Sequence, residues 1–228
     1  MSQRILLAPS ILTADFARLG DEIRSVSDIV DWFHLDVMDG HYVPNLTFGP
    51  STVEAINRWC ENPLHVHLMI TDPSRYAPEF VAAGADRISF HPEVVDEPGG
   101  VIDELENLGV GAGLAVHPDV PLDRIEPYVE RLDVLLMMTV RPGFGGQKFL
   151  DEVLPKIVDA RRLVQEKGAH ADVEVDGGVN SSTIDRVVDA GVDIVVAGSA
   201  IFDGVDAPAA AKKLRERLDV VAGRVSSD

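Results

Sequence analysis

Short apolar runs alternate with longer segments of helical periodicity along the whole chain. A short apolar run is typical of a buried strand, whereas apolar residues at every third or fourth position are typical of an amphipathic helix. The pattern predicts strands at residues 5–10, 32–40, 64–69, 87–91, 111–116, 134–139, 173–176 and 194–197. It predicts helices at residues 16–26, 53–59, 73–84, 101–108, 125–131, 150–167, 184–190 and 208–221. The chain therefore consists of eight β-α units.

Alternation of this kind indicates parallel strands that are joined by helical crossovers. Eight units in 228 residues predict an α/β protein with the (β/α)₈ TIM barrel fold and a single domain over residues 1–228. A doubly wound open sheet is the alternative. The barrel is favoured because polar and unusual residues stand at the carboxyl ends of different strands, which only a barrel brings together. These residues are Ser10, Asp36, His67, Met138, Asp176 and Gly198.

Acidic residues dominate the charge of the chain, with 38 Asp and Glu against 20 Lys and Arg and a formal net charge of −18. Nucleic acids and anionic membranes require a basic surface, so we expect neither as a partner. The single cysteine, Cys60, cannot form an intramolecular disulfide, and no long apolar segment predicts a signal peptide or a membrane span. We expect a cytoplasmic protein.

Histidines and carboxylates stand near the ends of three predicted strands. Side chains alternate between the two faces of a strand, so His34 and Asp36 share one face. His67 occupies the third strand and Asp176 ends the seventh. In a barrel these four side chains would meet at the carboxyl ends of the strands, where the active sites of such folds lie.

Six segments of the chain resemble the ribulose-phosphate 3-epimerase family. They are residues 8–16, 34–40, 65–69, 138–147, 174–178 and 197–199. The resemblance extends over essentially the whole chain and implies a metal-dependent TIM barrel of the ribulose-phosphate-binding type. It also implies interconversion of D-ribulose 5-phosphate and D-xylulose 5-phosphate in the pentose phosphate pathway, and a homo-oligomer, either a dimer or a hexamer. Thr13 and Arg141 depart from the family pattern, and we expect the Arg141 side chain to lie in solvent.

Inversion of a carbon next to a ketone requires one group to remove a proton from one face and another to return a proton to the opposite face. Asp36 and Asp176 would stand on opposite sides of the barrel mouth and are the catalytic candidates. The resemblance implies that, in one direction, Asp36 accepts a proton and Asp176 donates one, through an enediolate. The two roles exchange in the reverse reaction.

A carboxylate is a weak base for such a carbon unless a cation stabilises the enediolate. His34, Asp36, His67 and Asp176 are the candidate ligands of one divalent metal ion per subunit. Nitrogen ligands favour zinc, iron(II), manganese or cobalt over calcium and magnesium, and the choice among the four stays open. Met38, Met69 and Met138 are candidate lining residues that would keep the site poor in water, although methionine is equally common as core packing.

Glycine-bearing turns after the sixth, seventh and eighth strands are candidates for a phosphate site. Glycine lets backbone N–H groups approach an anion, and barrels frequently bind phosphate near strands seven and eight. A phosphate site made of backbone N–H groups requires no lysine, so we expect that an acidic protein can bind a small phosphorylated ketose. The candidate substrate-binding residues are Ser10, His67, Gly143, Phe144, Gly145, Gly146, Asp176, Gly177, Gly178, Gly198 and Ser199.

Other functions use similar residues. A C3 epimerase of a ketohexose 6-phosphate such as allulose 6-phosphate would differ only in pocket length. A metal-free sugar-phosphate isomerase would not need both histidines, and a catalytically silent sugar-phosphate-binding barrel would tolerate loss of an aspartate. We expect structural roles for His65, His91 and His117. Glu174 faces the same side as Asp176 one layer deeper, an unfavourable place for a charge unless it orients a neighbour.

Overall fold

The structure of the protein, a computed structural model, describes residues 4–225, so residues 1–3 and 226–228 at the ends of the predicted domain lie outside it. Eight strands and seven α-helices alternate over the described residues. The strands are β1 (Leu6–Pro9), β2 (Phe33–Met38), β3 (Leu64–Met69), β4 (Arg87–Phe90), β5 (Gly111–Val116), β6 (Val134–Met138), β7 (Asp172–Asp176) and β8 (Ile194–Ala197). The helices are α1 (Leu19–Val26), α2 (Pro50–Asn57), α3 (Pro73–Ala82), α4 (Pro98–Leu108), α5 (Leu154–Glu166), α6 (Ile184–Asp189) and α7 (Ala207–Val225).

All eight strands pair in parallel in one sheet, in the order β1-β8-β7-β6-β5-β4-β3-β2. A parallel bridge between Ser10 and His34 joins the two ends of this order. The backbone N–H of Asp31 also donates to the carbonyl of Leu7 at 2.9 Å. The sheet therefore curls into a (β/α)₈ TIM barrel, as predicted, and the open-sheet alternative is wrong.

Several of the predicted helices begin or continue differently in the structure; the one at residues 16–26 begins as the 3₁₀ helix Phe16–Arg18. Residues 125–131 do not form an α-helix; the segment contains the 3₁₀ helix Val129–Arg131, and a second 3₁₀ helix, Leu122–Arg124, precedes it. Pro127 lacks the N–H that a continuous α-helix would need there. Helix α4 begins at Pro98, three residues before the predicted start at residue 101, because proline is well tolerated in a first helical turn. The first turn of the segment at residues 150–167 is a 3₁₀ helix.

Each strand presents one face to the helices and the other to the barrel interior. In β2, Phe33, Leu35 and Val37 belong to the main apolar core, which lies between strands and helices. The alternate residues His34 and Asp36 point inward and are almost fully buried. Among the described helices, none combines the length and apolar character that a membrane span requires.

Four aspartates brace the amino-terminal end of the barrel in the same way. Each precedes an even-numbered strand, donates its backbone N–H to the carbonyl of a residue in the preceding odd-numbered strand, and accepts that residue's N–H through its carboxylate. The pairs are Asp31 with Leu7, Asp86 with Leu64, Asp133 with Ala112, and Asp193 with Val173, with all eight hydrogen bonds between 2.7 and 2.9 Å. Part of the acidic character of the chain thus serves the fold.

Replacement of Asp86 by alanine leaves the N–H of the buried residue Leu64 without its carboxylate acceptor. We expect Asp86→Ala to lower the free energy of unfolding by about 1 to 2 kcal/mol, as measured by urea titration. Asp28→Ala removes an exposed carboxylate and is the matched control, with an expected change within about 0.5 kcal/mol. Equal stability of the two variants would show that the carboxylate contributes nothing to the brace.

Candidate active site

A pocket opens at the carboxyl ends of the strands and collects most of the residues that the sequence singled out. Those that line it are Ser10, Asp36, Met38, Met69, Met138, Gly143, Phe144, Gly145, Gly146, Asp176, Gly177, Gly178, Gly198 and Ser199. His34 and His67 are fully buried and do not line it. His67, also expected to contact substrate, is held away from the pocket because its ring lies between Asp36 and His91.

The register of the strands brings the predicted ligands to one height. Asp36 pairs with His67 across β2 and β3, and Asp176 ends β7. One ligand atom from each of His34, Asp36, His67 and Asp176 lies within 4.8 Å of the others. Such a set of two nitrogen and two oxygen donors fits a divalent transition metal.

His34 supplies a second reason to expect a cation. Its Nε2 is buried, lies 3.3 Å from Asp36 Oδ1, and has no hydrogen-bond partner within residues 4–225. Buried polar atoms are rarely left unpaired unless they serve an ion or a reaction. The arrangement therefore fits a metal ion at His34 Nε2.

The two aspartates lie in contrasting electrostatic surroundings. Burial by itself would raise the pKa of Asp36, but the charge of His34 and the hydrogen bond of His67 outweigh it and hold this pKa far below its usual range. For Asp176, burial and the negative charge of Asp36 raise the pKa to about 8. Near neutral pH, without a cation, Asp36 is ionised and Asp176 protonated. Carboxylates whose pKa values are driven apart are typical of an acid and base pair.

Asp36 is also held by direct hydrogen bonds. The Ser10 hydroxyl donates to Asp36 Oδ2 at 2.6 Å, and His67 Nδ1 lies 3.0 Å from Oδ1. These contacts come from the loop after β1 and from β3, so three strands determine the orientation of one carboxylate. Its rotation is therefore restricted before any substrate binds.

Glu174 lies one layer below the predicted ligands and is almost fully buried. It accepts hydrogen bonds from Nδ1 of His34 and of His65, each at 2.9 Å. Burial would raise the pKa of Glu174, but the nearby His65 and His34 more than compensate and lower it. His65 also contacts Ser89 Oγ through Nε2 at 2.7 Å. Glu174 thus directs the Nδ1 proton of His34 downward, which leaves Nε2 facing the ligand cluster.

The glycine turns differ in what they do. An added Cβ at Gly177 would lie 2.5 Å from Val140 Cγ2, and one at Gly178 would lie 2.4 Å from the Phe149 nitrogen. Both glycines have positive φ angles, so packing and backbone conformation already require them. Gly198 has no such constraint on φ, and its added Cβ would approach only side chains, those of Thr13 and Ser10.

Sequence reasoning missed Thr13 as a site residue. It lines the pocket beside Gly145 and Gly198, and its buried hydroxyl has no hydrogen-bond partner in the part of the chain that the structure describes. Its place in the loop after β1, three residues beyond Ser10, was the available signal. Arg141 is exposed, pairs with Asp119 at 3.3 Å and does not line the pocket, in agreement with the expectation that it lies in solvent.

Known proteins resemble this chain over most of its length. The model of the ribulose-phosphate 3 epimerase family matches residues 6–202. The chain is 46% identical over 217 residues to ribulose-phosphate 3-epimerase of Mycobacterium leprae (95% of this chain, 96% of the relative) and 48% identical over 213 residues to that of Bacillus subtilis (92% and 98%). The solved structure of KGPDC from Streptococcus mutans, 16% identical, shares the fold with a TM-score of 0.76 (96% and 99%). The chain therefore belongs to the ribulose-phosphate 3 epimerase family.

Proposed function

We propose that the protein is a metal-dependent epimerase that inverts C3 of D-ribulose 5-phosphate to form D-xylulose 5-phosphate. The observation that carries the proposal is the pair of carboxylates, Asp36 and Asp176, at one pocket with opposite pKa shifts. The names of the similar proteins from Mycobacterium leprae and Bacillus subtilis support the substrate.

The two aspartates divide the proton transfer between them. Ionised Asp36 removes the C3 proton from one face of the sugar, and protonated Asp176 returns a proton to the other face. Ser10 holds the Asp36 carboxylate in place during the transfer, because its hydroxyl donates to Oδ2 at 2.6 Å. In the reverse direction the two carboxylates exchange roles.

His34, Asp36, His67 and Asp176 would hold the metal ion, which we propose to be zinc, iron(II), manganese or cobalt. When bound, the ion withdraws electron density from the ketone and so makes the C3 proton more acidic. Met38, Met69 and Met138 are buried and line the pocket, so that they exclude water from the reacting end of the sugar.

The phosphate group is proposed to lie against the turns after β6, β7 and β8. Gln147 stabilises the first turn, because its side-chain amide donates to the carbonyls of Arg141 and Phe144 at 2.7 and 2.9 Å. The side chain of Asn45 donates to the Gly143 carbonyl at 2.8 Å. These hydrogen bonds hold the turn in shape without a positive charge, which suits a chain with a net charge of −18.

We also propose a homo-oligomer, a dimer or a hexamer, in the cytoplasm. Exposed apolar side chains in loops at the carboxyl end of the barrel, Phe16, Leu46 and Phe144, support association, and the free thiol of Cys60 suits a reducing compartment. Light scattering that gave a mass of 24.7 kDa, the mass of one chain, would contradict the oligomer.

Purified protein should bind about one transition-metal ion per chain, and chelation should abolish epimerisation. Near pH 7, uptake should release between about one and two protons per ion. His34, whose pKa is raised, must lose its Nε2 proton to act as a ligand, whereas Asp176 can bind through one carboxylate oxygen and keep part of its proton occupancy on the other. Affinity should therefore rise with pH up to about 8. Elemental analysis and calorimetry in two buffers measure these quantities, and full activity without metal would refute the site.

Gly198→Ala should raise KM for the phosphorylated sugar by about tenfold or more, because the added methyl group would keep the phosphate away from the backbone N–H groups of the turn. A hydrogen bond from such an N–H to a charged group is worth about 1.5 to 3 kcal/mol. The added methyl would stand beside Thr13 and not in the metal cluster, so metal content should be unchanged. Gly100→Ala, at a helical position with open space around it, is the matched control. An unchanged KM in steady-state kinetics of Gly198→Ala would place the phosphate elsewhere.

Asp176→Asn tests the mechanism directly, because an amide keeps the size of the side chain and cannot deliver a proton. With metal retained, net epimerisation should fall by about 10² to 10⁴, the usual contribution of a general acid. The epimer that Asp36 deprotonates should still exchange its C3 hydrogen in D₂O, as followed by NMR. Asp36→Asn should show the same behaviour with the other epimer.

The control for Asp176→Asn is Asp119→Asn, which removes an exposed carboxylate outside the pocket and should leave the rate unchanged. If Asp176→Asn kept its metal and epimerised at the wild-type rate, Asp176 would be a ligand only. A mechanism with one base would then have to replace the proposed pair.

A further inference from the structure

A chain of polar groups leads from the ligand cluster to the edge of the barrel. His67 Nε2 lies 3.0 Å from His91 Nε2, and His91 Nδ1 lies 3.4 Å from Glu93 Oε1. The Tyr42 hydroxyl donates to the same Glu93 oxygen at 2.7 Å. His91 is fully buried, and its ring packs against that of Tyr42 at 4.7 Å. None of these outer groups takes part in the proton transfer proposed above.

Only one proton can lie between the two facing Nε2 atoms, so the tautomers of His67 and His91 are coupled. If His91 carries its proton on Nδ1, its Nε2 accepts from His67 Nε2–H, and the lone pair of His67 Nδ1 faces Asp36. If His91 carries its proton on Nε2, His67 Nδ1 carries the other proton and points it at Asp36. Only the first arrangement leaves His67 Nδ1 free to bind a cation.

Glu93 distinguishes the two arrangements. An ionised carboxylate attracts a proton on His91 Nδ1 and repels a lone pair there. His91 Nδ1 and Glu93 Oε2 are both buried without a hydrogen-bond partner within residues 4–225. The Tyr42 hydrogen bond holds the carboxylate beside the imidazole. The charge of Glu93 therefore favours the arrangement in which His67 Nδ1 presents its lone pair.

We infer that Glu93, acting through His91, is a positioning residue that stabilises the metal-binding tautomer of His67 and so strengthens metal binding. The inference deepens the proposed function and rests on its metal site. The other histidine of the site has an analogous partner, because Glu174 accepts the Nδ1 proton of His34 directly. Each imidazole is thus oriented by a carboxylate that does not itself belong to the ligand cluster.

The test is Glu93→Gln in the full chain, which replaces the carboxylate by an amide of nearly the same size. Zinc affinity, from competition with a chromophoric chelator, should fall by about 10- to 100-fold, the usual cost of losing such an outer partner. Glu97→Gln makes the same change at an exposed position nearby and should bind zinc like the wild type. Thermal unfolding of the metal-free variants checks that each is folded.

A second readout reports on the tautomer itself. In zinc-loaded wild-type protein labelled with ¹⁵N-histidine, zinc takes the place of the proton that Asp36 attracts to His67 Nδ1. His91 should then carry its proton on Nδ1, and in Glu93→Gln this form should decrease. A role limited to anchoring the loop would leave these nitrogen shifts unchanged. Because the wild-type spectrum alone reports the tautomer, this readout remains decisive even if the variant does not fold.

Two results would overturn the inference while the proposed metal site stands: equal zinc affinity of the Glu93→Gln and Glu97→Gln variants, or a zinc-loaded wild-type His91 protonated on Nε2 instead of Nδ1. Failure of the wild-type chain to bind zinc, iron(II), manganese or cobalt would overturn the metal site and the inference together. Weaker zinc binding confined to Glu93→Gln, with the tautomer shift, supports it.

Discussion

The interior of the barrel has to accommodate buried negative charge, and the arrangement of the site follows from how it does so. The carboxylates concerned are the buried Asp36 and Glu174 and the half-buried Asp176. Burial penalises an ionised carboxylate unless positive charge or hydrogen bonds compensate. Histidines compensate for Asp36 and Glu174, whose pKa values are lowered, whereas the pKa of Asp176 is raised to about 8. With a proton on each, His34 and Asp176 together carry two more positive charges than in their deprotonated forms, which is the charge that one divalent cation would add.

The two ends of the barrel differ in how they accommodate charged side chains. At the amino-terminal end, four aspartates each form a pair of hydrogen bonds with the backbone of the neighbouring strand, and their charges remain near solvent or beside arginine, as with Asp31 and Arg215. At the carboxyl end, polar side chains point into the barrel and contact one another. Backbone pairing of the parallel strands connects the two ends of the barrel. The stability that the aspartates contribute at the amino-terminal end therefore offsets the cost of the buried charge cluster at the carboxyl end.

Orientation of the ligand cluster comes from residues far apart in sequence. The contact of His34 with Glu174 spans 140 residues, and that of His67 with His91 spans 24. Glu174 on β7 reaches His34 on β2 only because the sheet curls into a barrel, whereas His91 directly follows β4, the strand that pairs with β3. Imidazoles have two nitrogens, and the partner of one determines what the other can do. Buried neighbours therefore govern the chemistry of the site as much as the ligands do.

The sequence alone determined the strands, the barrel and the residue types of the site, because periodicity and the residues at strand ends are local properties. The bounds of β3, β5 and β8 agree with the apolar runs, whereas the helix at residues 125–131 was wrong because Pro127 interrupts it. Only the tertiary structure decided that Glu174 orients His34, that the Thr13 hydroxyl is buried at the pocket, and that the pKa values of Asp36 and Asp176 diverge. These properties depend on distances between side chains of different strands and on their removal from water, which no linear pattern of residues specifies.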